Sequence, residues 1–294
     1  MLAVALGLLI GKQAAEKTEP LVIPFLAIVM SLSAMNVTTQ ELAQLKKMHR
    51  TVAYSLLLNY LVLGGIIWLM AWWLIPDEEI RTGFIMLAVV PPAVAVLPFT
   101  YLLGGDSHFS LIGMTGTYLA ALLIVPAAML LFLGLDFFDP WKLLIILVEL
   151  IIVPIIVSRI LLHTGAARYI NRYRGTAVNW CYSVVVFTLV GLNQKAFFGE
   201  FDVLLRVALI AAVISFVLGY VLELIAKSLH LRHELTLSII FMGTLKNYGL
   251  AGGILLALFT DRSVIPVSVS LVFGIFLFVW LGFHFRKKVN KPDT

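Results

Sequence analysis

The sequence holds a single cysteine, Cys181, and few charges, since only 13% of its 294 residues are Asp, Glu, Lys or Arg. One thiol closes no internal disulfide and builds no thiolate metal site, so Cys181 reads as a small buried apolar residue. A soluble domain carries roughly 25% charged residues, about twice this share, which excludes an ordinary soluble enzyme. No metal-ligand cluster, nucleophile elbow or phosphate loop occurs, so neither an enzyme nor a cofactor is expected. The net charge of +5 does not indicate a nucleic-acid partner, because the basic residues fall in short clusters between apolar runs. What is abundant is apolar: 61% of the residues are hydrophobic and the mean hydropathy is +1.03. Such a chain needs the bilayer as solvent for most of its side chains.

Apolar windows between charged, proline or glycine breaks predict ten transmembrane spans, near residues 1-12, 20-36, 51-75, 82-103, 107-134, 141-163, 175-193, 203-228, 235-259 and 263-284. These runs are too long and too continuously apolar for a barrel. The first is short for a ~30 Å hydrocarbon core, which reads as a short or truncated helix, and no cleaved signal is expected. Thirteen Lys and Arg residues (Lys46, Lys47, Arg50, Arg159, Arg168, Arg172, Arg174, Lys227, Arg232, Arg286, Lys287, Lys288, Lys291) fall in one set of loops, against seven in the other. The richer set predicts the cytoplasmic side, with both termini in the cytoplasm of a multi-pass cell-membrane protein. Gln40 to Arg50 reads as a basic amphipathic turn on that surface. Trp68, Trp72, Trp73 and Trp141 read as interface anchors.

Ten spans divide into two sets of five with opposite orientation, the arithmetic of an inverted repeat over 1-136 and 137-294 within one transmembrane domain. The fourth span carries Pro91, Pro92 and Pro98, which remove backbone donors and predict a mid-membrane break. The ninth carries Gly243-Thr244-Leu245-Lys246-Asn247-Tyr248-Gly249 and then Gly252-Gly253, a polar, glycine-rich interruption. Paired interruptions in corresponding spans point to a transporter's binding site.

Lys246 is the most informative residue, because a mid-span lysine costs at least ~2.5 kcal/mol unless it is paired or solvated. It is a candidate for holding a substrate carboxylate or for carrying a proton. Glu149 in the sixth span is its expected acidic partner, since Glu223 has Lys227 four residues on. Asn59, beside the third span's centre, and Asn247 are candidate site amides. Asp106 reads as a helix cap and His108 as a secondary pH-sensor candidate.

With the two broken spans in place, the sequence resembles the bile acid sodium symporter family, within the superfamily that includes arsenite and auxin-type carriers. The resemblance rests on Met30-Ser31-Leu32-Ser33-Ala34-Met35, on the proline-broken segment with Thr100-Tyr101-Leu102-Leu103-Gly104-Gly105-Asp106, and on Asn247-Tyr248-Gly249-Leu250-Ala251. It implies an all-α fold in which helices four and nine cross at their breaks. A panel would comprise helices one, two, six and seven, and a core helices three to five and eight to ten. It further implies substrate between core and panel, and sodium behind the crossover. Asn59 and Ser110 fall on positions where the family supplies ligands. Val96, Leu97, Met114, Met242 and Lys246 stand where it has a Ser-Asn pair, a threonine, an acid and a glutamine, so the sodium sites are expected to be lost. Apolar side chains give sodium no oxygen.

The expected function is therefore secondary active transport of a small or amphipathic organic anion by alternating access, independent of sodium or linked to protons. The expected partners are that anion and the lipid bilayer, around a monomer. A sodium-coupled symporter using backbone ligands, an arsenite-type efflux carrier and a non-transporting membrane sensor stay open as alternatives.

Overall fold

The computed structural model describes residues 1–36, 47–134 and 138–289, the side chains of 286–289 apart. Lys46, Lys291, most of the Gln40 to Arg50 segment and the side chains of Arg286, Lys287 and Lys288 lie outside it. The described residues form helices: α1 Leu2–Ile10, α2 Lys12–Ala34, α3 His49–Leu74, α4 Glu78–Val89, α5 Val96–Leu102, α6 Ser107–Leu133, α7 Pro140–His163, α8 Ala167–Leu192, α9 Phe201–Ser228, α10 His233–Thr244, α11 Tyr248–Leu258 and α12 Asp261–Phe285. The extended backbone among them is one isolated bridge, between Pro92 and Lys246.

Seven of these helices (α2, α3, α6, α7, α8, α9 and α12) are long and apolar enough to cross a membrane. They present large apolar side chains outward, such as Leu123, Leu131 and Phe283, each more than 70% exposed. A multi-pass membrane protein follows, because no aqueous surface tolerates such a jacket. The other three predicted spans are shorter pieces, as their sequences led one to expect. At nine residues, α1 is about 14 Å long. The fourth and ninth runs are each split into two short helices, α4 with α5 and α10 with α11.

Helix α2 starts eight residues before its apolar run and α8 starts eight before its own, because Lys12 to Glu19 and Ala167 to Arg174 are charged yet still good helix formers. Hydropathy marks where lipid begins rather than where the helix does. Short polar side chains start several helices. Asp77 accepts from the Glu79 and Ile80 amides, Asp106 from Phe109, and Asp139 from Trp141 and Lys142. Helices α3, α7 and α9 each contain a wider π-helical stretch, at Leu57–Gly64, Val148–Ile152 and Val213–Val217.

Helices α1 and α2 pack on α8, and α2 also on α7; α3 packs on α6, and α9 on α10 and α12. The two breaks, at 90–95 and 245–247, lie against each other.

Candidate functional site

The site begins with what the prolines remove. In α4 the last regular helical bond runs from the Val90 amide to the Met86 carbonyl. The next two carbonyls, of Leu87 and Ala88, would accept from residues 91 and 92, which are prolines without an N–H. The chain then turns extended, so the Val90 carbonyl loses its helical donor as well. Carbonyls at membrane depth need a donor from elsewhere.

Lys246 supplies it. Its Nζ donates to the carbonyls of Ala88 (2.7 Å), Val90 (3.0 Å) and Asn59 (2.9 Å), and to Asn59 Oδ1 (2.9 Å). The Tyr60 ring faces the same nitrogen, 5.0 Å from its centroid. The side chain is wholly buried. An ammonium with three N–H groups suits these four acceptors and this ring face, whereas a neutral amine brings only two donors.

The converse holds at the second break. Helix α10 ends with the Leu245 amide bonding to Phe241, which leaves the Met242 carbonyl facing an extended Lys246. The buried Asn59 Nδ2 donates to it at 3.3 Å. Asn59 sits in the π-helical stretch of α3 and so serves both breaks. The breaks also pair directly, as the Asn247 amide donates to the Pro91 carbonyl at 2.9 Å and the Ala93 amide to Leu245 at 3.4 Å. Asn247 Oδ1 accepts from the Leu250 amide and starts α11, while its Nδ2 donates to the Tyr118 hydroxyl at 2.7 Å. That hydroxyl donates in turn to the Pro92 carbonyl at 2.9 Å.

A cavity of about 470 Å³ lies on the other side of Asn247 and Tyr118, bounded by α2, α5, α6, α7 and α8. Its lining is mostly apolar, with Leu26, Met30 and Ile151 among the walls. It widens into a vestibule lined by Asn36, His108 and Arg174. Its far end is shut by close packing: a methyl added to Gly252 would lie 2.7 Å from Leu189, and one on Gly253 as close to Leu26. Beyond that packing, Lys12 pairs with Asp261 at 2.8 Å and Lys142 Nζ donates to the Ala257 carbonyl at 2.7 Å. Outside the spans, Arg262 clamps Asp77 (2.8 Å) and Glu200 (2.7 Å). Its guanidinium holds the Glu200 carboxyl below the usual range. Burial pushes Asp77 up, but the Arg262 bond and two backbone amides leave it lowered.

A sequence model of the "Sodium Bile acid symporter family" matches residues 23–196, more than half of the chain. The chain belongs to that family. Its members are symporter-type transporters of small molecules, not enzymes. The curated "Uncharacterized protein YbaS" of Bacillus subtilis (strain 168) is 24% identical over 224 residues, covering 74% of this chain and 72% of the relative.

Of the residues singled out from the sequence, Lys246, Asn59, Asn247, Pro91, Pro92 and the carbonyl of Met242 converge at the breaks. Leu97 and Met114 line the cavity. Val96 is buried at the start of α5. Ser110 is elsewhere, its hydroxyl 3.0 Å from that of Thr100. Thr244 bonds back to the Ile240 carbonyl of its own helix. Glu149 corrects the expectation most: its side chain is exposed on α7, and all four oxygens around Lys246 come from Asn59, Ala88 and Val90. Three backbone carbonyls and the Asn59 amide oxygen perform the task assigned to the acid, the Ala88 carbonyl because Pro92 had already freed it. Lys246 also does not line the cavity. Glu223, as expected, pairs with Lys227 (2.7 Å), and it also meets His284 (3.2 Å).

Tyr60, Tyr118 and the Ala88 and Val90 carbonyls were not anticipated. The Ala88 carbonyl was available from the position of Pro92, since a proline unpairs the residue four before it, whereas the freeing of Val90 depends on the chain turning extended there. A phenol inside an apolar run implies a partner, though not which one.

Proposed function

We propose that the protein is a secondary carrier of a small or amphipathic organic anion, working by alternating access without a sodium ion. The cavity that opens at one end and is packed shut at the other carries this reading. A one-sided cavity ending beside crossed helix breaks is what rocking of two bodies around a fixed site requires. The proposed bodies are a panel of α1, α2, α7 and α8 and a core of α3 to α6 and α9 to α12, giving ten membrane segments as inverted repeats 1-136 and 137-294. The packing of α1 and α2 onto α8 supports that division. Arg159, Arg168, Arg172 and Arg174 lie at the open end, which the positive-inside rule assigns to the cytoplasm with both termini. The cavity then faces inward.

Sodium independence rests on Lys246. The oxygens around it are already within 3.0 Å of an ammonium, and a second monovalent cation does not fit the same cage. Val96, Leu97, Met114 and Met242 offer no side-chain oxygen. Surroundings made only of acceptors favour a fixed charge over a travelling proton.

Uptake of radiolabelled cholate into proteoliposomes, in sodium, potassium and choline media, tests the proposal. Saturable uptake at equal rates in the three is expected. A sodium requirement would overturn the ion independence. Binding without flux would overturn the carrier and favour a membrane sensor.

A further inference from the structure

The arginines differ in what answers their charge. Among the described residues, Arg81, Arg206, Arg232 and Arg262 each have a carboxylate within 4 Å. Arg159 and Arg174 turn toward the cavity and its vestibule, where they donate to the Ala34 carbonyl and to Asn36 Oδ1. Arg168 and Arg172 are exposed, and their guanidiniums have neither a carboxylate nor a hydrogen-bond acceptor among the described residues. The sequence supplies none nearby, since no Asp or Glu lies between Glu149 and Glu200. The same stretch of α8 has two faces. Ala167, Ile170, Ala177 and Val178 pack with Leu32 of α2 and with Met35 at its end. The opposite face carries Tyr169, Tyr173, Thr176 and Trp180, at steps of four, three and four residues that align them in one stripe. Tyr169 is 79% exposed and Trp180 71%. The Arg172 guanidinium lies over the Tyr173 ring, 5.7 Å from its centroid, and Arg168 is one turn away.

We infer that this face of α8 binds an anionic phospholipid of the adjoining leaflet, with the phosphate between Arg168 and Arg172 and an acyl chain along Thr176 and Trp180. The depth along the helix fits. Gly175 to Leu192 rises about 27 Å, close to the ~30 Å of a hydrocarbon core. Arg172 and Arg168 then stand roughly 5 and 10 Å beyond it, in the headgroup layer and at its outer edge, while Trp180 lies about 7 Å inside. Guanidiniums suit phosphate oxygens, and Tyr169 and Tyr173 bring an apolar ring with a polar tip to the same layer. Aromatic residues alone mark any interface; two arginines without a counter-charge separate this face from the rest. A zwitterionic headgroup carries its own ammonium and answers that charge less well. Lipid recognition needs only the bilayer, so it holds whether or not the chain carries a cargo. A lipid seated there fixes the depth of α8 in the membrane.

The test is native mass spectrometry of the full-length protein in detergent with equimolar dioleoyl phosphatidylglycerol and dioleoyl phosphatidylcholine, which share their chains and differ in net charge. Phosphatidylglycerol adducts are expected to outnumber phosphatidylcholine adducts about tenfold. The double variant Arg168→Gln, Arg172→Gln should bring the ratio close to one while phosphatidylcholine adducts persist, which also reports that the variant is folded. Arg168→Lys, Arg172→Lys should keep part of the preference, since the charges remain but the planar forks are lost. Lys47→Gln, Arg50→Gln, a pair elsewhere in the same set of basic loops, should leave the ratio unchanged. Glycerol 3-phosphate offers the charge without chains and should not displace phosphatidylglycerol at equal concentration. Equal adducts of the two lipids on the unaltered protein would overturn the inference, as would a preference that survives Arg168→Gln, Arg172→Gln. A loss just as large in Lys47→Gln, Arg50→Gln would assign the preference to diffuse charge, and displacement by glycerol 3-phosphate would assign it to free phosphate; either overturns the lipid site.

Discussion

The Nζ of Lys246 lies 2.7 Å from the carbonyl oxygen of Ala88, the oxygen that Pro92 leaves without its helical donor. A cost imposed by one broken helix is offset by a side chain of the other, at the end of a flexible stem of four methylenes. Two interruptions that would each be expensive in lipid are joined in one hydrogen-bond system.

Replacing Lys246 by methionine keeps the stem and removes the donors. The Ala88 and Val90 carbonyls and Asn59 are then unsatisfied, at roughly 1–3 kcal/mol each. Thermal unfolding in detergent is expected to shift down by many degrees for Lys246→Met and by less for Lys246→Gln, whose amide retains two N–H groups. Equal midpoints for the two variants would show that the donors do not matter.

Gly64 gives a test from the opposite side of the same oxygen. A methyl there would lie 2.6 Å from the Ala88 carbonyl oxygen, which is backbone and held on its other side by Lys246. Gly64→Ala is expected to cost roughly 1–3 kcal/mol through overpacking. Its neighbour Gly65 has open space, so Gly65→Ala should be neutral or gain up to about 1 kcal/mol of helix propensity. Paired melting curves check both.

How much of this was legible in the residues alone can be stated from particular places. The broken helices announced themselves, because proline and a glycine-flanked lysine have few roles in an apolar run. That the breaks touch followed only from the resemblance. The partner of Lys246 was misread because acids were sought among side chains, whereas three of the four acceptors are backbone oxygens, which belong to no residue type, and the fourth is the Asn59 amide oxygen. Arg159 was counted as a topology marker, and its place on a cavity wall depends on how α7 packs against α2, which periodicity does not encode. Glu149 drew notice as a mid-span acid, but which face of α7 it occupies is set by the local π-helical stretch.

The Arg262 clamp predicts a pH dependence. The Asp77 and Glu200 carboxyls are held below their unfolded values, so folding favours their ionised forms. Their contribution is fully present above the unfolded range, about 4, and is lost as pH falls through the lower folded values. The melting temperature of the unaltered protein should therefore drop on the acid side of pH 4. In Arg262→Gln the acid-side slope should flatten. An unchanged slope in that variant would assign the acid sensitivity to other carboxylates.

The side on which the cavity opens can be read chemically. In a Cys181→Ser background, Ser33→Cys on the cavity wall should react with a membrane-impermeant maleimide in inside-out vesicles, and Glu79→Cys at the opposite end in right-side-out vesicles. The reverse pattern would invert the orientation.

In the proposed carrier Lys246 takes the place of an ion while joined to the chain, and a covalently held cation has no chemical potential that differs between the two sides of a membrane. It performs no osmotic work and sets no stoichiometry. For the proposed carrier, accumulation is then governed by voltage and by the cargo's own activity. A monoanion at rest would be distributed about tenfold for every ~60 mV across the bilayer, excluded from the negative side. Such a machine drains or equalises a pool rather than filling one.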